Sequence, residues 1–382
     1  MRKIFIVIER RADYTRYKPI LTRLSRDPFF KIHLVVTGIC LLDKHGRDID
    51  NIKKDGFSIN TKIDMFSKKS RDYGGEMVKA MGKFMRKIVD ELDKAKPDIV
   101  LTGFDIGANF ATAVAGAHMN IPVAHIQGGE ISGSIDESLR HAMSKFSHIH
   151  FPATQLSKKR LIRMGENPRN IFVVGCPSID NLINTPHITK EKIAMEFGID
   201  FAKHLILIIQ HPVTTESQNS YQQIEETLNA VKNLGLQTII LYPNNDAGYS
   251  RIINKINISG IKYFTTLPNN KFVNLLRYSS LLIGNSSSGI HEAATFKIPV
   301  VNIGTRQQGR ERAENVIDAR YNQVDISKAI RKALFDKKFR QELKKVKNPY
   351  GDGKSAKKIV AILQKITLDG IIQKRFYEPN LK

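Results

Sequence analysis

The sequence predicts an α/β protein in which two successive parallel sheets, each layered with helices, face one another across a cleft. Three observations carry this reading. Short apolar runs alternate with helical stretches along the whole chain, the pattern of strands joined by crossover helices. The pattern pauses after the run VVGCPSIDNLIN, at Pro186, and then restarts. At 382 residues the chain is too long for one ordinary core and suits two.

In the first half, strands are expected at Ile4–Glu9, Ile32–Thr37, Asp98–Thr102, Val123–Gln127, His148–Pro152 and Ile171–Val174. Helices are expected at Glu76–Lys94 and Asp136–Lys145. In the second half, strands are expected at Leu205–Gln210, Thr238–Tyr242, Lys262–Thr265, Leu281–Gly284 and Val300–Ile303. The helices there are Gln218–Leu234, Lys271–Tyr278 and Ile326–Phe335. This divides the chain into two Rossmann-like domains, 1–186 and 187–382. The last helix, Ser355–Ile366, is free to pack on either. Ligands on such sheets bind outside the carboxyl ends of the strands, so chemistry is sought there.

Apolar residues make up 41% of the chain and charged residues 25%, enough to bury two cores. Lys and Arg number 60 against 37 Asp and Glu, a formal charge of +23. Such a chain attracts polyanions. Its basic residues are scattered, however, and clusters such as Lys158-Lys159-Arg160 are short. With no nucleic-acid motif beside them, they are read as a lysine-rich surface plus a site for a phosphorylated substrate, not as a nucleic-acid interface. The two cysteines, Cys40 and Cys176, form neither a metal-ligand spacing nor a disulfide framework, which fits a reducing cytoplasm. The opening run MRKIFIVIERRADY is too short for a signal peptide and reads as a first strand. No apolar run approaches the roughly 20 residues of a membrane helix, so a cytoplasmic protein without membrane insertion is expected.

The most informative stretch is LLIGNSSSGIHEAA, Leu281–Ala294. A buried strand runs into small residues and then a helix start, where amides and the hydroxyls of Ser286 and Ser287 suit phosphate oxygens. Glu292, one turn on, suits ribose hydroxyls. A plain strand-to-helix turn with a serine cap has the same pattern. Arg306 and Arg310 follow the strand Val300–Ile303, making a diphosphate clamp or, alternatively, surface pairs with Glu311 and Glu314. Arg11 follows the first strand at the same level. Gln127, Glu130 and Asp136 gather at one strand end, as acid–base chemistry requires, although Asp136 also suits a helix cap. Asp105 ends the strand DIVLTGFD. His211 ends LILIIQHPVTT, where an imidazole serves as acid or base near neutral pH.

Together RADY at Arg11–Tyr14, HIQGGEISGSIDESLRHA at His125–Ala142, QHPVTT at Gln210–Thr215, YPNNDAG at Tyr242–Gly248, GNSSSG at Gly284–Gly289 and NIGTRQQGRERAEN at Asn302–Asn315 resemble the hydrolysing UDP-N-acetylglucosamine 2-epimerases, in order and over nearly the whole chain. The resemblance implies two Rossmann-like domains facing a cleft, as in two-domain glycosyltransferases. It implies elimination of UDP from a UDP-sugar to a glycal, then hydration to a free N-acetylmannosamine-type sugar. It assigns the diphosphate to Ser286, Ser287, Arg306 and Arg11, the ribose to Glu292, and the nucleotide's surroundings to Asn244. Asp105, Asp136 and His211 match the catalytic carboxylates and histidine. No metal or other cofactor is implied, and a homodimer or homotetramer is expected.

The sugar-side motifs depart from the family pattern. Where His-Gly-Asp-Arg is usual, this chain has Gly103-Phe104-Asp105-Ile106, and Gln127 stands in place of a catalytic glutamate. Three readings follow. In the first, the chain is a 2-epimerase in which Glu130, Glu137 or a water replaces that carboxylate. In the second, it is a glycosyltransferase or a non-epimerising nucleotide-sugar hydrolase on the same fold. In the third, it binds nucleotide sugars with little catalysis.

Overall fold

The computed structural model describes residues 1–66, 71–104 and 107–378. Two six-stranded sheets form, and every pairing in both is parallel. The first holds β1 (Arg2–Ile8), β2 (Phe30–Thr37), β3 (Thr61–Ile63), β4 (Ile99–Gly103), β5 (Val123–Ile126) and β6 (Ile149–Phe151), in the order β3-β2-β1-β4-β5-β6. The second holds β7 (Leu205–Ile209), β8 (Gln237–Leu241), β9 (Lys262–Phe264), β10 (Leu281–Gly284), β11 (Val300–Ile303) and β12 (Val316–Ala319), in the order β12-β11-β10-β7-β8-β9. Counted within its own half, each sheet has the doubly wound order 3-2-1-4-5-6.

Both faces of each sheet are covered, which is why the central strands read as unbroken apolar runs. Ile4, Ile6 and Ile8 of β1 pack on one face against Tyr17, Ile20 and Leu24 of the helix Arg11–Arg26. Phe5 and Val7 pack on the other against Phe84 and Ile88 of the helix Gly74–Ala95. The second sheet is sandwiched in the same way. The last helix, Ser355–Lys365, crosses back and buries Ala356, Ile359 and Leu363 in the first sheet's core. Its first two amides are capped by Asp180, at 3.0 and 2.8 Å.

One expected strand does not form. In the segment Ile171–Val174, only Ile171 makes an isolated bridge, to His150. The neighbouring strand β6 runs into Pro152, which has no N–H to extend a ladder. The short strands β3 and β12 and the helix Gly107–His118 are absent from the sequence reading.

Candidate active site

In a doubly wound sheet the strand order reverses at one point, and the loops there splay apart to leave a crevice. Here those points lie between β1 and β4 in one sheet and between β7 and β10 in the other. They face each other. Arg11, Asn244, Gln127, Glu130, Asp136, His211, Ser286, Ser287, Glu292, Arg306 and Arg310 all line a single cleft between them. Asp105 lies outside the described residues.

The floor on the second sheet is set by backbone geometry. Gly284 ends β10 at φ +125°, and a Cβ there would lie 2.2 Å from the Ile209 carbonyl oxygen, so only glycine fits. That close approach lets the next residue, Asn285, clamp the loop after β7. Its Oδ1 accepts from the His211 N–H at 2.7 Å, and its Nδ2 donates to the His211 carbonyl at 2.8 Å. Ser286 then caps the short helix Ser287–His291, accepting from the Ser288 amide.

His211 is oriented by its neighbours as well. The Asn244 N–H donates to its Nδ1 at 3.0 Å, so the ring proton sits on Nε2. Burial, with Arg306 and Arg10 nearby, holds the imidazole well below its ordinary pKa. It is therefore a neutral ring with one N–H to offer.

Arg306 bridges the cleft. Its guanidinium donates to the Asn285 carbonyl at 3.3 Å and lies 3.8 Å from Asp136 and 3.6 Å from Asp246. Arg10 lies 3.8 Å from the same Asp246. Arg11 donates to the Leu267 carbonyl at 2.9 Å, across the domain boundary. Asp136 sits in the first turn of the helix Ile135–Phe146, whose cap position is Ser134; the alternative reading of Asp136 as the cap does not hold. Burial pushes the Glu292 carboxyl above its ordinary pKa, against the pull of Arg16.

Arg310 is not a free clamp for an anion. Its Nε lies 3.5 Å from Glu130, and its terminal nitrogen donates to Gln307 at 2.8 Å. Glu130 also receives His291 Nε2 at 3.1 Å and Gln127 Nε2 at 2.9 Å. Burial opposes the charge on Glu130, but His291, Arg310 and Arg140 outweigh it and hold the carboxyl well below the usual range. His291 itself is lowered to about 4 by burial, so it donates as a neutral ring. Glu130 is thus held among His291, Gln127 and Arg310, which favour its charged form. Glu137, the other carboxylate considered, accepts from the Ser132 amide at 2.6 Å.

Several cleft residues are invisible in motif terms. Arg16 shares a helix face with Arg11, Ala12 and Thr15, stacks its guanidinium 4.8 Å from the Phe104 ring centre, and donates to Ser287 at 3.3 Å. The spacing i, i+1, i+4, i+5 from Arg11 is the signal that would have found it. Phe104 itself sits at φ +70° beyond β4. Glu9, directly after β1 and beside Arg10, accepts from the Ala108 amide at 2.9 Å, and burial raises its pKa to about 7.

Two facing doubly wound sheets with an arginine-rich cleft at their switch points make a site suited to a nucleotide-linked ligand. The sequence model of UDP-N-acetylglucosamine 2-epimerase matches residues 22–364. The chain is 38% identical over 372 residues to the UDP-N,N'-diacetylbacillosamine 2-epimerase (hydrolyzing) of Legionella pneumophila, spanning 96% of this chain and 97% of that one. It is 33% identical over 386 residues to the GDP/UDP-N,N'-diacetylbacillosamine 2-epimerase (hydrolyzing) of Campylobacter jejuni, spanning 99% of both. Its fold matches the crystal structure of UDP-GlcNAc 2-epimerase from Neisseria meningitidis bound to UDP-GlcNAc with a TM-score of 0.81, at 19% identity, over 95% of this chain and 100% of that one. This protein belongs to the UDP-N-acetylglucosamine 2-epimerase family and is an enzyme of its hydrolysing kind.

Proposed function

We propose that this enzyme takes a UDP-linked 2-acetamido sugar, eliminates UDP across C1–C2, and hydrates the resulting glycal to the free 2-epimer. The observation that carries this is the bridge of Arg306 across the cleft, with Asp136 3.8 Å away and the neutral His211 nearby. A diphosphate held by Arg306, Arg11, Ser286 and Ser287 puts the C1–O bond beside His211. Its Nε2–H donates to the departing oxygen. Asp136 then takes the C2 proton as the C1–O bond breaks. Water adds its oxygen at C1, and a proton returns to C2 on the opposite face. Glu292 lies one turn beyond the serines, in reach of the ribose, and Asn244 borders the nucleotide.

Within that class the reading favours a 2,4-diacetamido-6-deoxy sugar over N-acetylglucosamine. The Legionella and Campylobacter relatives carry that substrate in their names. The first-domain wall of the cleft contains Phe104 and Ile39, apolar surface that suits a C6 methyl better than a hydroxymethyl. Initial-rate assays of UDP release with the two UDP-sugars test this. The expected result is a higher kcat/KM for the diacetamido sugar, with Asp136→Asn lowering kcat about 10²–10⁴-fold on it. Equal or reversed preference contradicts the substrate choice, and an unaffected D136N contradicts the role of Asp136.

A further inference from the structure

Gln127 takes no part in the proton transfers above, yet its side chain is held with unusual care. It follows β5 and is 3% exposed at the wall of the cleft. Its backbone sits at φ +61°, a region that favours glycine. Gly128 and Gly129 stand next to it, so the chain could have placed a glycine here and instead keeps an amide.

The direction of that amide follows from its neighbour. Glu130 is ionised and so can only accept; the group facing it at 2.9 Å must be the Gln127 NH₂. Reversing the amide would set its carbonyl oxygen against a carboxylate. Glu130 cannot turn away, because its other oxygen receives His291 at 3.1 Å and lies 3.5 Å from Arg310. The Gln127 Oε1 therefore points away from Glu130. It is buried and accepts no hydrogen bond from the described residues. A buried carbonyl without a donor is unfavourable, and one lining a ligand cleft is satisfied by the ligand.

We propose that Gln127 Oε1 accepts the N–H of the sugar's 2-acetamido group, making Gln127 a specificity-determining residue and Glu130 the positioning residue that aims it. This rests on the reading of the substrate as a UDP-linked 2-acetamido sugar. An amide N–H is a donor with no lone pair of its own to satisfy, and it matches a single fixed acceptor. A hydroxyl in its place would bring lone pairs that the acceptor cannot serve. The glutamine thus replaces proton transfer at this position with recognition.

The test uses the full-length enzyme and a carbon-linked, uncleavable analogue of UDP-N-acetylglucosamine, titrated by calorimetry alongside UDP. In Gln127→Met the affinity for the analogue falls about tenfold while that for UDP is unchanged. Gln127→Glu, which beside Glu130 must hold a proton and donate its O–H where the amide donated its N–H, keeps an acceptor oxygen in the same place and binds the analogue nearly as well as wild type. A packing role predicts the reverse order, because methionine matches the shape and a second carboxylate beside Glu130 does not. Undiminished analogue binding by Q127M overturns the proposal, and so does an equal loss in Q127E. Failure of the wild-type enzyme to bind UDP at all would overturn the nucleotide-sugar reading itself, and the proposal with it.

Discussion

Glu9 shows how a single buried carboxyl couples pH to stability. It is buried at the end of β1, and burial raises its pKa from 4.5 to about 7. In the unfolded chain it ionises near 4.5, whereas the native state keeps its proton until about 7. The native state therefore binds more protons across that window, and stability falls as pH rises through it. The contribution is fully present below the unfolded value and lost above the native one. It amounts to about 3 kcal/mol at most. In Glu9→Gln this loss disappears, because the amide oxygen still accepts from Ala108 without ionising. Thermal melts of both proteins from about pH 5 to pH 8 should show the wild type losing Tm relative to E9Q. Parallel curves would mean that Glu9 ionises normally in the folded protein. His211 is the opposite case at this scale. Its Nδ1 is occupied by a backbone N–H and burial lowers its pKa, so it works as a neutral donor and contributes no titration near its ordinary value.

At the scale of elements, the legible parts were those with strong local signals. Strands such as Leu281–Gly284 and Val300–Ile303 are buried apolar runs ended by glycine, and that pattern gives their bounds to the residue. The short strands β3 and β12 carry only partial burial and lack that signal. The helix Gly107–His118 is alanine-rich and buried on most sides, so it has no clear apolar stripe to read. The site divides in the same way. His211, Ser286 and Arg306 end strands or start helices in compact motifs, whereas Arg16 and His291 reach the cleft only through tertiary packing. The fixed state of Glu130 depends on Arg310 and His291, contributed by the other domain, and no local pattern contains that. The loop between β5 and the helix Ile135–Phe146 adds a testable contact. The Gly133 N–H donates to the Arg306 carbonyl at 3.1 Å, and a Cβ on Gly133 would lie 1.9 Å from the Thr305 carbonyl oxygen. Gly133→Ala forces these backbones apart and displaces Arg306, so kcat/KM should fall about 10²-fold. Its Tm should barely move, since neither core is touched. Unchanged kinetics in G133A would show that the cleft tolerates a wider gap.

At the scale of the whole molecule, one strand order is used twice, and the two crevices it creates are turned toward each other. Neither sheet holds the site alone. The second supplies His211, the serines and Arg306, and the first supplies Arg11, Gln127, Glu130 and Asp136. Apolar packing joins them, as where Ile179 and Leu182 enter the second sheet's core, and polar contacts span the cleft: Arg11 to Leu267, Arg16 to Ser287 and Glu130 to His291. The +23 charge has a focus in the same place, where Arg10, Arg11, Arg16 and Arg306 face the volume assigned to a diphosphate. The central claim is that this cleft breaks a sugar–nucleotide bond and inverts the neighbouring carbon in one enzyme. Proton NMR of the reaction in deuterated water, started with a UDP-linked 2-acetamido sugar, tests it most directly. The account predicts UDP together with a free sugar that is inverted and deuterated at C2. Release of UDP with a sugar that keeps its original C2 configuration and proton would contradict it.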